Sequence, residues 1–462
     1  MFPAQTYSER RKLLVDQIGS GIILFPGNDD SPMNYPDNAY LFRQDSSLLY
    51  YFGLNFPSVS AVIDIDEDRE IIFADEPTLA DIIWLGPQEP LSEKARKAGI
   101  SQTASLSEMA ALLAAAVSRG RKIHYLPQYR AANLIKLEKL ISIPNAEIAS
   151  NVSVELIKAV AAQRSIKSDQ EIAEIEASMD ICYEMHTAAM KAARPGMYEH
   201  EVSGIIEGIA LSMGGSLSFP TIFTVHGETL HNHYHGNIMK AGDIAINDSG
   251  AQTAMNYSSD VTRTIPIGGK FSSRQRDVYN IVLNAQEKCI QAVKPGVEFR
   301  DVHLLAGEML SSGLKEIGLM KGDPAQAARA GAHSLFFQCG LGHMMGLDVH
   351  DMEDLGEKYV GYTDTIKRNP EFGVCSLRMG KTLEVGHVMT VEPGLYFIPE
   401  LINRWKAENK LAQFINYDKV EDYRDFGGIR LEDDILVTDH GSRLLGKPIA
   451  KSIEEVEALA SL

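Results

Sequence analysis

The stretch INDSGAQTAMNYSSDVTRTIP, residues 246–266, sets two aspartates, Asp248 and Asp260, at the ends of apolar or β-branched runs on either side of a turn containing Gly and Asn. The pattern around the first of them recurs. GDIAINDSG (242–250) returns as GHVMTVEPG (386–394), with a glycine, six positions to an acid and two more to a glycine. Each is followed by a second acidic strand, SSDVTRTIPI carrying Asp260 and GIRLEDDILVT carrying Glu432. Four converging carboxylates, Asp248, Asp260, Glu392 and Glu432, repel too strongly to stay uncompensated in a folded interior, so the pattern calls for cations. Carboxylate oxygens suit hard divalent ions such as Mg or Mn, and one imidazole shifts the choice toward Mn, Co, Fe or Zn. His343, in QCGLGHMMGLDVHD, can supply that imidazole: Gly340 and Gly342 lie close enough for the backbone to bend around a ligand, and His350 stands seven positions further on. Four negative charges match two divalent ions, the usual frame for hydrolysis by a hydroxide held between them.

Side chains two apart on a strand share a face, which puts Arg430 beside Glu432 and Thr262 beside Asp260. An arginine there can orient a ligating carboxylate or receive a substrate carboxylate in a forked contact. A lone aspartate at a strand end usually forms a turn, and a lone histidine usually sits satisfied in a core. The repeated glycine, acid, glycine spacing sets these residues apart. The cluster HNHYH (231–235) reads by itself as a solvated loop.

The elements that must position these groups fall into two regions. Up to about residue 160, strand-like runs (GIILF, AVIDID, REIIFA) mix with helical periods such as LSEMAALLAAAV, which describes an α/β domain. The acidic run DIDEDRE (64–70) reads as a hairpin turn with solvated charges. From about Asn151 to Ala193 the pattern is continuously helical, a bridge into a second domain. That second region carries an internal repeat of roughly 100 residues, too long for a solenoid. KAARPGMYEHEV (191–202) returns as QAVKPGVEFRDV (291–302), and two half-domains related by approximate two-fold symmetry would bring the four acids to one centre.

At these residues the chain resembles a known family. DSG through DVTRTIPIGGKF, GLGHMMGLDVHD, TVEPGLYF and GIRLEDDILVT together resemble the dinuclear metallopeptidases of the aminopeptidase P and prolidase family, and YLFRQDSSLLYYFGLNFP (40–57) resembles their creatinase-like N-terminal domain. The resemblance spans nearly the whole chain. It implies an α/β N-terminal creatinase-like domain (1–160) and an α+β pita-bread catalytic domain (161–462) with an internal pseudo-two-fold repeat. It implies five metal ligands, Asp248, Asp260, His343, Glu392 and Glu432, holding two divalent ions, Mn first and Co, Zn or Fe as alternatives. It further implies that Glu392 also shuttles the catalytic proton, and that His350 and His231 stabilise the oxyanion and hold the substrate. His233 and His235 compete with His231 for that place. Arg430 matches the site arginine before the last ligand, and Arg378, in SLR, resembles a basic residue with which prolidase-type members bind the substrate's C-terminal carboxylate.

The implied reaction is cleavage of the bond before a proline in second position, by an Xaa-Pro aminopeptidase or, alternatively, an Xaa-Pro dipeptidase. The long segment between Glu392 and Glu432 resembles a prolidase insert. The chain departs from the family at Cys339, where a histidine is common four positions before the metal-binding one, and in an extra residue between Asp248 and Asp260. The first departure keeps a third reading open, a catalytically inactive binding module of the same fold; creatine amidinohydrolases use the fold without metals. The partners expected are small proline-containing peptides and further copies of the chain, as a dimer or larger homo-oligomer. The formal charge of −18, from 44 basic and 62 acidic residues, argues against nucleic acid and anionic membranes. Four scattered cysteines without a C-x-x-C pair, a polar opening (MFPAQTYSERRKLL) and no run of eighteen apolar residues point to a cytoplasmic protein.

Overall fold

In the first region the apolar run IILF becomes β1 (Ile22–Phe25), a strand whose four residues are all buried. It lies inside a five-stranded sheet with β2 (Ser60–Asp64), β3 (Arg69–Phe73), β4 (Gln102–Ala104) and β5 (Ile123–His124), in the order β4-β3-β2-β1-β5. The β1-β2 and β2-β3 pairs are antiparallel, while β4 and β5 add in parallel at the edges. Helix Leu106–Ser118, opened by a Ser105/Glu108 capping box, buries Met109, Leu113 and Ala116 against this sheet at three- and four-residue spacing. The α/β reading of this region holds. The DIDEDRE turn differs from expectation at one residue, because Asp64 is fully buried rather than solvated. Burial alone would push its carboxyl up, but hydrogen bonds from Arg121 and Arg69 hold it below the usual carboxylate range.

The computed structural model describes residues 1–461 and divides into two compact units, Met1–Arg164 with Met352–Val360, and Ser165–Asp351 with the chain from Gly361 onward. The helix expected to run unbroken from Asn151 to Ala193 is instead two helices, Val154–Ser165 and Asp169–Ala192. Ser168 and Glu171 form a capping box that starts the second helix afresh, and the Lys167 amide bonds the Gly386 carbonyl at 2.9 Å instead of continuing a helical ladder.

In the second unit the sequence repeat is a repeat of backbone hydrogen bonds. Helices Asp169–Ala192 and Glu199–Ser212 are joined through Pro195-Gly196, and helices Ser273–Ala292 and Phe299–Glu316 through Pro295-Gly296. Gly196 (φ +92°) and Gly296 (φ +85°) occupy the left-handed region that only glycine enters cheaply. The Gly196 amide donates to the Met239 carbonyl at 2.8 Å and the Gly296 amide to Leu383 at 2.9 Å, while the Glu199 and Phe299 amides donate to Asn237 and Lys381 at 3.0 and 3.1 Å.

The strands follow the same plan. β6 (Ser216–Leu217) pairs β9 (Ala251–Gln252), and β7 (Ile222–Thr224), β8 (Ile244–Ser249) and β10 (Val261–Pro266) form a sheet in the order β10-β8-β7. Their counterparts are β11 (Val388–Val391) beside β14 (Asp433–Thr438) and β15 (Gly441–Leu444), and β12 (Gly394–Tyr396) beside β13 (Gly428–Arg430). The register shows where the symmetry breaks. Asp248 stands opposite Thr262 in the first half. In the second half Val391 pairs Asp433 and Gly394 pairs Arg430, so Glu392 faces Glu432. Thr262 is therefore the counterpart of Glu432, and Asp260 the counterpart of Arg430. The two halves do not duplicate their second acid; they place it two residues apart, and the position holding a carboxylate in one half holds a guanidinium in the other.

His303 on helix Phe299–Glu316 and His333 beside it are completely buried, with ring centroids 6.1 Å apart and Phe337 against both. Burial pushes His303 down to about 3 and His333 to about 4. An imidazole held neutral in the native state binds a proton more readily once unfolded, so stability drops as pH falls below the ordinary histidine value near 6.5. His303→Leu is expected to remove about 1 kcal/mol of the stability loss between pH 7 and pH 5.5, read as a smaller shift of the urea midpoint between those pH values. An unchanged shift would mean that His303 takes no part in the acid lability.

Candidate metal centre

Asp248 projects from β8, and Asp260 immediately precedes β10 on the neighbouring antiparallel strand. His343 is held against β11: its amide donates to Thr390 Oγ1 at 3.2 Å, its carbonyl accepts the Thr390 amide at 3.0 Å, and the Glu392 amide reaches the Leu341 carbonyl at 2.8 Å. The glycines before His343 serve this contact. A Cβ on Gly342 would fall 2.0 Å from the Thr390 carbonyl oxygen, and one on Gly340 2.8 Å from Ser376 O and Leu377 Cα. Neither has a positive φ, so they permit close approach rather than the bend expected from the sequence.

The five residues converge. One ligand atom each of Asp260, His343 and Glu432 lie within 4.8 Å of one another. His343 Nε2 is 3.4 Å from Asp260 Oδ2 and 3.8 Å from Glu392 Oε1. His343 Nδ1 donates to the Met344 carbonyl at 3.0 Å, which leaves the Nε2 lone pair facing the carboxylates. Burial, then His350, pushes this imidazole well below its ordinary value, so it is neutral and cannot balance them. Burial and the neighbouring acids push the Asp260 and Glu432 carboxyls well up, and burial, opposed by Arg430 and reinforced by Asp248, raises Glu392 to about 7. Buried oxygens of Asp248 and Asp260 have no hydrogen-bond partner. Inward lone pairs, orphaned carboxylate oxygens and mutual repulsion are what a divalent-cation site requires, and this donor set fits one.

The surrounding polar groups explain the broken symmetry. Arg430 Nη2 donates to Asp248 Oδ2 at 2.5 Å, Nε to Thr262 Oγ1 at 3.0 Å and Nη1 to the Tyr396 hydroxyl at 3.0 Å. Thr262 Oγ1 donates in turn to Glu432 Oε2 at 2.8 Å. Of the two tasks open to Arg430 in the sequence, these bonds correspond to orienting a carboxylate. Sequence reasoning missed Asp434, whose Oδ2 accepts the Asp260 amide at 3.0 Å, and the fully buried Arg263, which donates to the Thr262 and Glu432 carbonyls at 2.9 and 2.6 Å and so ties the segments carrying Asp260 and Glu432 together. It also missed the Lys167–Asp351 ion pair, 2.7 Å long with both side chains buried, which closes the loop carrying His343 and His350. Long-range pairs of this kind leave no signal in local spacing.

The cluster lies on the wall of a cavity of about 550 Å³ within the second unit. His350 lines it, its ring 4.2 Å from that of His343. His231 and His233 line it too, whereas His235 does not and directs Nδ1 at the Phe223 carbonyl, 3.1 Å away. Loss of solvent around the ring, then Arg430, lowers His231 from its ordinary value. The loop before His231 crosses β13 at two glycines, a Cβ on Gly428 falling 2.4 Å from the Gly227 carbonyl oxygen. Arg378 and Cys339 also line the cavity, and so does Arg368, which the sequence did not single out. Of the chain's two tryptophans, Trp405 is buried against Phe372 and Trp84 is exposed; neither lines this cavity.

Residues 173–439, more than half of the chain, match the model of metallopeptidase family M24, and residues 7–124 match that of the aminopeptidase P N-terminal domain. The chain belongs to metallopeptidase family M24. Among its relatives it is 30% identical to the Xaa-Pro dipeptidase of Homo sapiens, over 97% of this chain and 90% of that one. It is equally 30% identical to a probable Xaa-Pro aminopeptidase of Paracoccidioides brasiliensis, over 100% of this chain and 97% of that one. A solved structure of zinc-substituted Escherichia coli aminopeptidase P in complex with product has a TM-score of 0.81 at 28% identity, covering 99% of this chain and 98% of that one. The fold of this M24 chain is accordingly the two-domain aminopeptidase P fold expected from the sequence, and a metallopeptidase of this family uses divalent metal ions.

In this M24 chain the departure at Cys339 places a thiol 3.8 Å from the Tyr396 hydroxyl. Burial, then Glu392, pushes that thiol up to about 12, so at neutral pH it is uncharged and only a weak donor.

Proposed function

We propose that this chain is a dinuclear-metal Xaa-Pro peptidase that hydrolyses the bond before a proline in the second position of peptides. The observation that carries this reading is the convergence of Asp248, Asp260, His343, Glu392 and Glu432 in one cavity, with orphaned buried oxygens on two of them. These five residues would hold the metals, Mn best by their hard oxygen majority and single imidazole, with Co, Zn or Fe able to replace it. When bound, two divalent ions supply Lewis-acid polarisation of the substrate carbonyl and a water acidic enough to ionise near neutral pH. Glu392, which lines the cavity, takes the proton of the attacking water and returns it to the prolyl nitrogen as the carbon–nitrogen bond breaks. His350 and His231 stand on the cavity wall to donate to the developing oxyanion and to hold the substrate. Arg430 keeps Asp248 in place.

The aminopeptidase reading admits longer peptides. A dipeptidase reading has its own support: Arg378 lines the cavity, where it can receive the free carboxylate of a substrate that ends at proline. Hydrolysis of Ala-Pro and Ala-Pro-Ala by chelator-stripped protein restored with Mn, with released alanine followed by mass spectrometry, separates the readings. Cleavage of the dipeptide alone identifies a dipeptidase, and cleavage of the tripeptide an aminopeptidase. Cleavage of neither would sink the peptidase reading and leave an inactive binding module of the same fold. The proposal keeps the expected homo-oligomer, supported by the wholly exposed apolar helix Leu79–Leu85 of the first unit. It keeps a cytoplasmic setting too, consistent with the absence, among the described residues, of any helix long and apolar enough to cross a membrane.

A further inference from the structure

The loop that carries His231 runs from Val225 to Asn237, and one side chain holds both of its ends. Glu199 is completely buried. Its Oε1 accepts the Val225 amide at 2.8 Å, while its Oε2 accepts the Asn237 amide at 3.2 Å and Asn237 Nδ2 at 2.9 Å. The two carboxylate oxygens therefore clasp the loop at its entry and at its exit. From the entry the hold extends toward the histidine: Thr224 Oγ1 accepts the His226 amide and Asn232 Nδ2, each at 3.0 Å, and Asn232 adjoins His231. His231 lines the cavity yet is exposed, so its place is set by the backbone that carries it more than by packing around the ring.

The helix that bears Glu199 does not need this acid. Glu199 opens the helix Glu199–Ser212, and Glu201 already serves its start, with Oε2 accepting the Tyr198 amide at 2.8 Å. In the repeated half the same place is taken by Phe299, equally buried, which opens the helix Phe299–Glu316 and whose amide makes the matching bond to the Lys381 carbonyl. The unit is thus built as well around an apolar ring as around a carboxylate. Burying a carboxylate is costly unless its oxygens are hydrogen-bonded, so its presence in one half alone points to the loop it holds.

We infer that Glu199 is the positioning residue for His231: it does not line the cavity itself, but by fixing both ends of the loop it holds the imidazole on the cavity wall. The assignment rests on the Xaa-Pro reading, in which His231 meets the substrate, and deepens it. A glutamine in this place keeps the shape but turns an NH2 group toward one of the N–H donors, so one end of the loop loses its bond with little loss of packing.

On the Mn-restored full chain, Glu199→Gln is expected to lower kcat/KM for an Xaa-Pro peptide about tenfold, less than a displacement of about 1 Å can cost. In a His231→Ala background the same substitution is expected to change kcat/KM by no more than about twofold, because no ring is left to misplace. A merely structural role would cut the active fraction by the same factor in both backgrounds. Equal losses in the two backgrounds therefore overturn the inference, and so does an unchanged kcat/KM in the parent background. Should Glu199→Gln fail to fold, Asn237→Ala takes its place, with an expected loss of about threefold in the parent background and none beside His231→Ala, and the same two outcomes overturn the inference. If the parent cleaves neither Ala-Pro nor Ala-Pro-Ala, the Xaa-Pro reading fails on its own. Amide hydrogen exchange then reads the clasp directly: the segment 225–237 is expected to exchange about tenfold faster in Glu199→Gln than in the parent, while the strands bearing the metal ligands keep their protection. Equal exchange of that segment in the two proteins overturns the inference.

Discussion

Glu392→Gln is expected to lower kcat on an Xaa-Pro substrate by about a thousandfold or more, the upper part of the range for removal of a general acid–base group, while KM moves by only a few-fold. The amide keeps the shape and one coordinating oxygen, and bound Mn counted alongside kcat separates lost proton transfer from a weakened ligand. Three features single out this residue. It is half-buried where Asp260, Glu432 and Asp248 are buried, so it faces the open cavity more than they do. In the metal-free site burial, opposed by Arg430 and reinforced by Asp248, raises its carboxyl to about 7. Its backbone is pinned by the amide bond to the Leu341 carbonyl, so the side chain is aimed rather than wandering. The fold should survive, because the substitution removes a like charge from an electrostatically crowded site. Parental kcat in this variant, measured on metal-restored protein, would show that the proton passes elsewhere.

The converging carboxylates were legible in the sequence because their signal is a repeat. Glycine, acid, glycine at fixed spacing occurs twice, and the hydrogen bonds of Gly196 and Gly296 show the same supersecondary unit built twice around the same turn. What the repeat hid was its own defect. Spacing suggested equivalent acids on the second strands, but register makes Thr262 the mate of Glu432 and Arg430 the mate of Asp260. That exchange explains the site's polarity: an exact duplicate would add another acid where Arg430 now sits, and nothing would orient Asp248. Asp434, Arg263 and the Lys167–Asp351 pair escaped notice because each acts across more than a hundred residues of sequence. Gly340 and Gly342 were noticed for the wrong reason, since a glycine needed for close packing and one needed for a turn look the same in sequence. Asp64 was misread likewise: a run of acids looks solvated until an arginine from elsewhere, here Arg121, buries one of them.

Asp260→Asn separates the metal's contribution from the fold's. In metal-free protein the Asp260 and Glu432 carboxyls are raised well above their ordinary values by burial and by the acids around them. A carboxyl raised by folding adds stability at low pH that is lost as pH rises through its folded value, so the metal-free chain is penalised toward and above neutrality. Bound cations reverse that penalty. The gain in melting temperature on adding Mn to the parent is therefore expected to grow from pH 6 to pH 8, and at a hundredfold excess over Kd each bound ion contributes about 2.7 kcal/mol. The substituted side chain would carry no charge and offer only an amide oxygen to the cation. Asp260→Asn without metal should therefore melt at or above the metal-free parent at pH 8, because one repelling charge is gone, while its response to Mn should largely vanish. Differential scanning calorimetry at both pH values, with bound Mn counted by isothermal titration, reads both effects. Two equivalents bound with parental affinity would remove Asp260 from the ligand set. A metal-free variant far less stable than the metal-free parent would mean instead that Asp260 is held in the interior for its bonds and not for a cation.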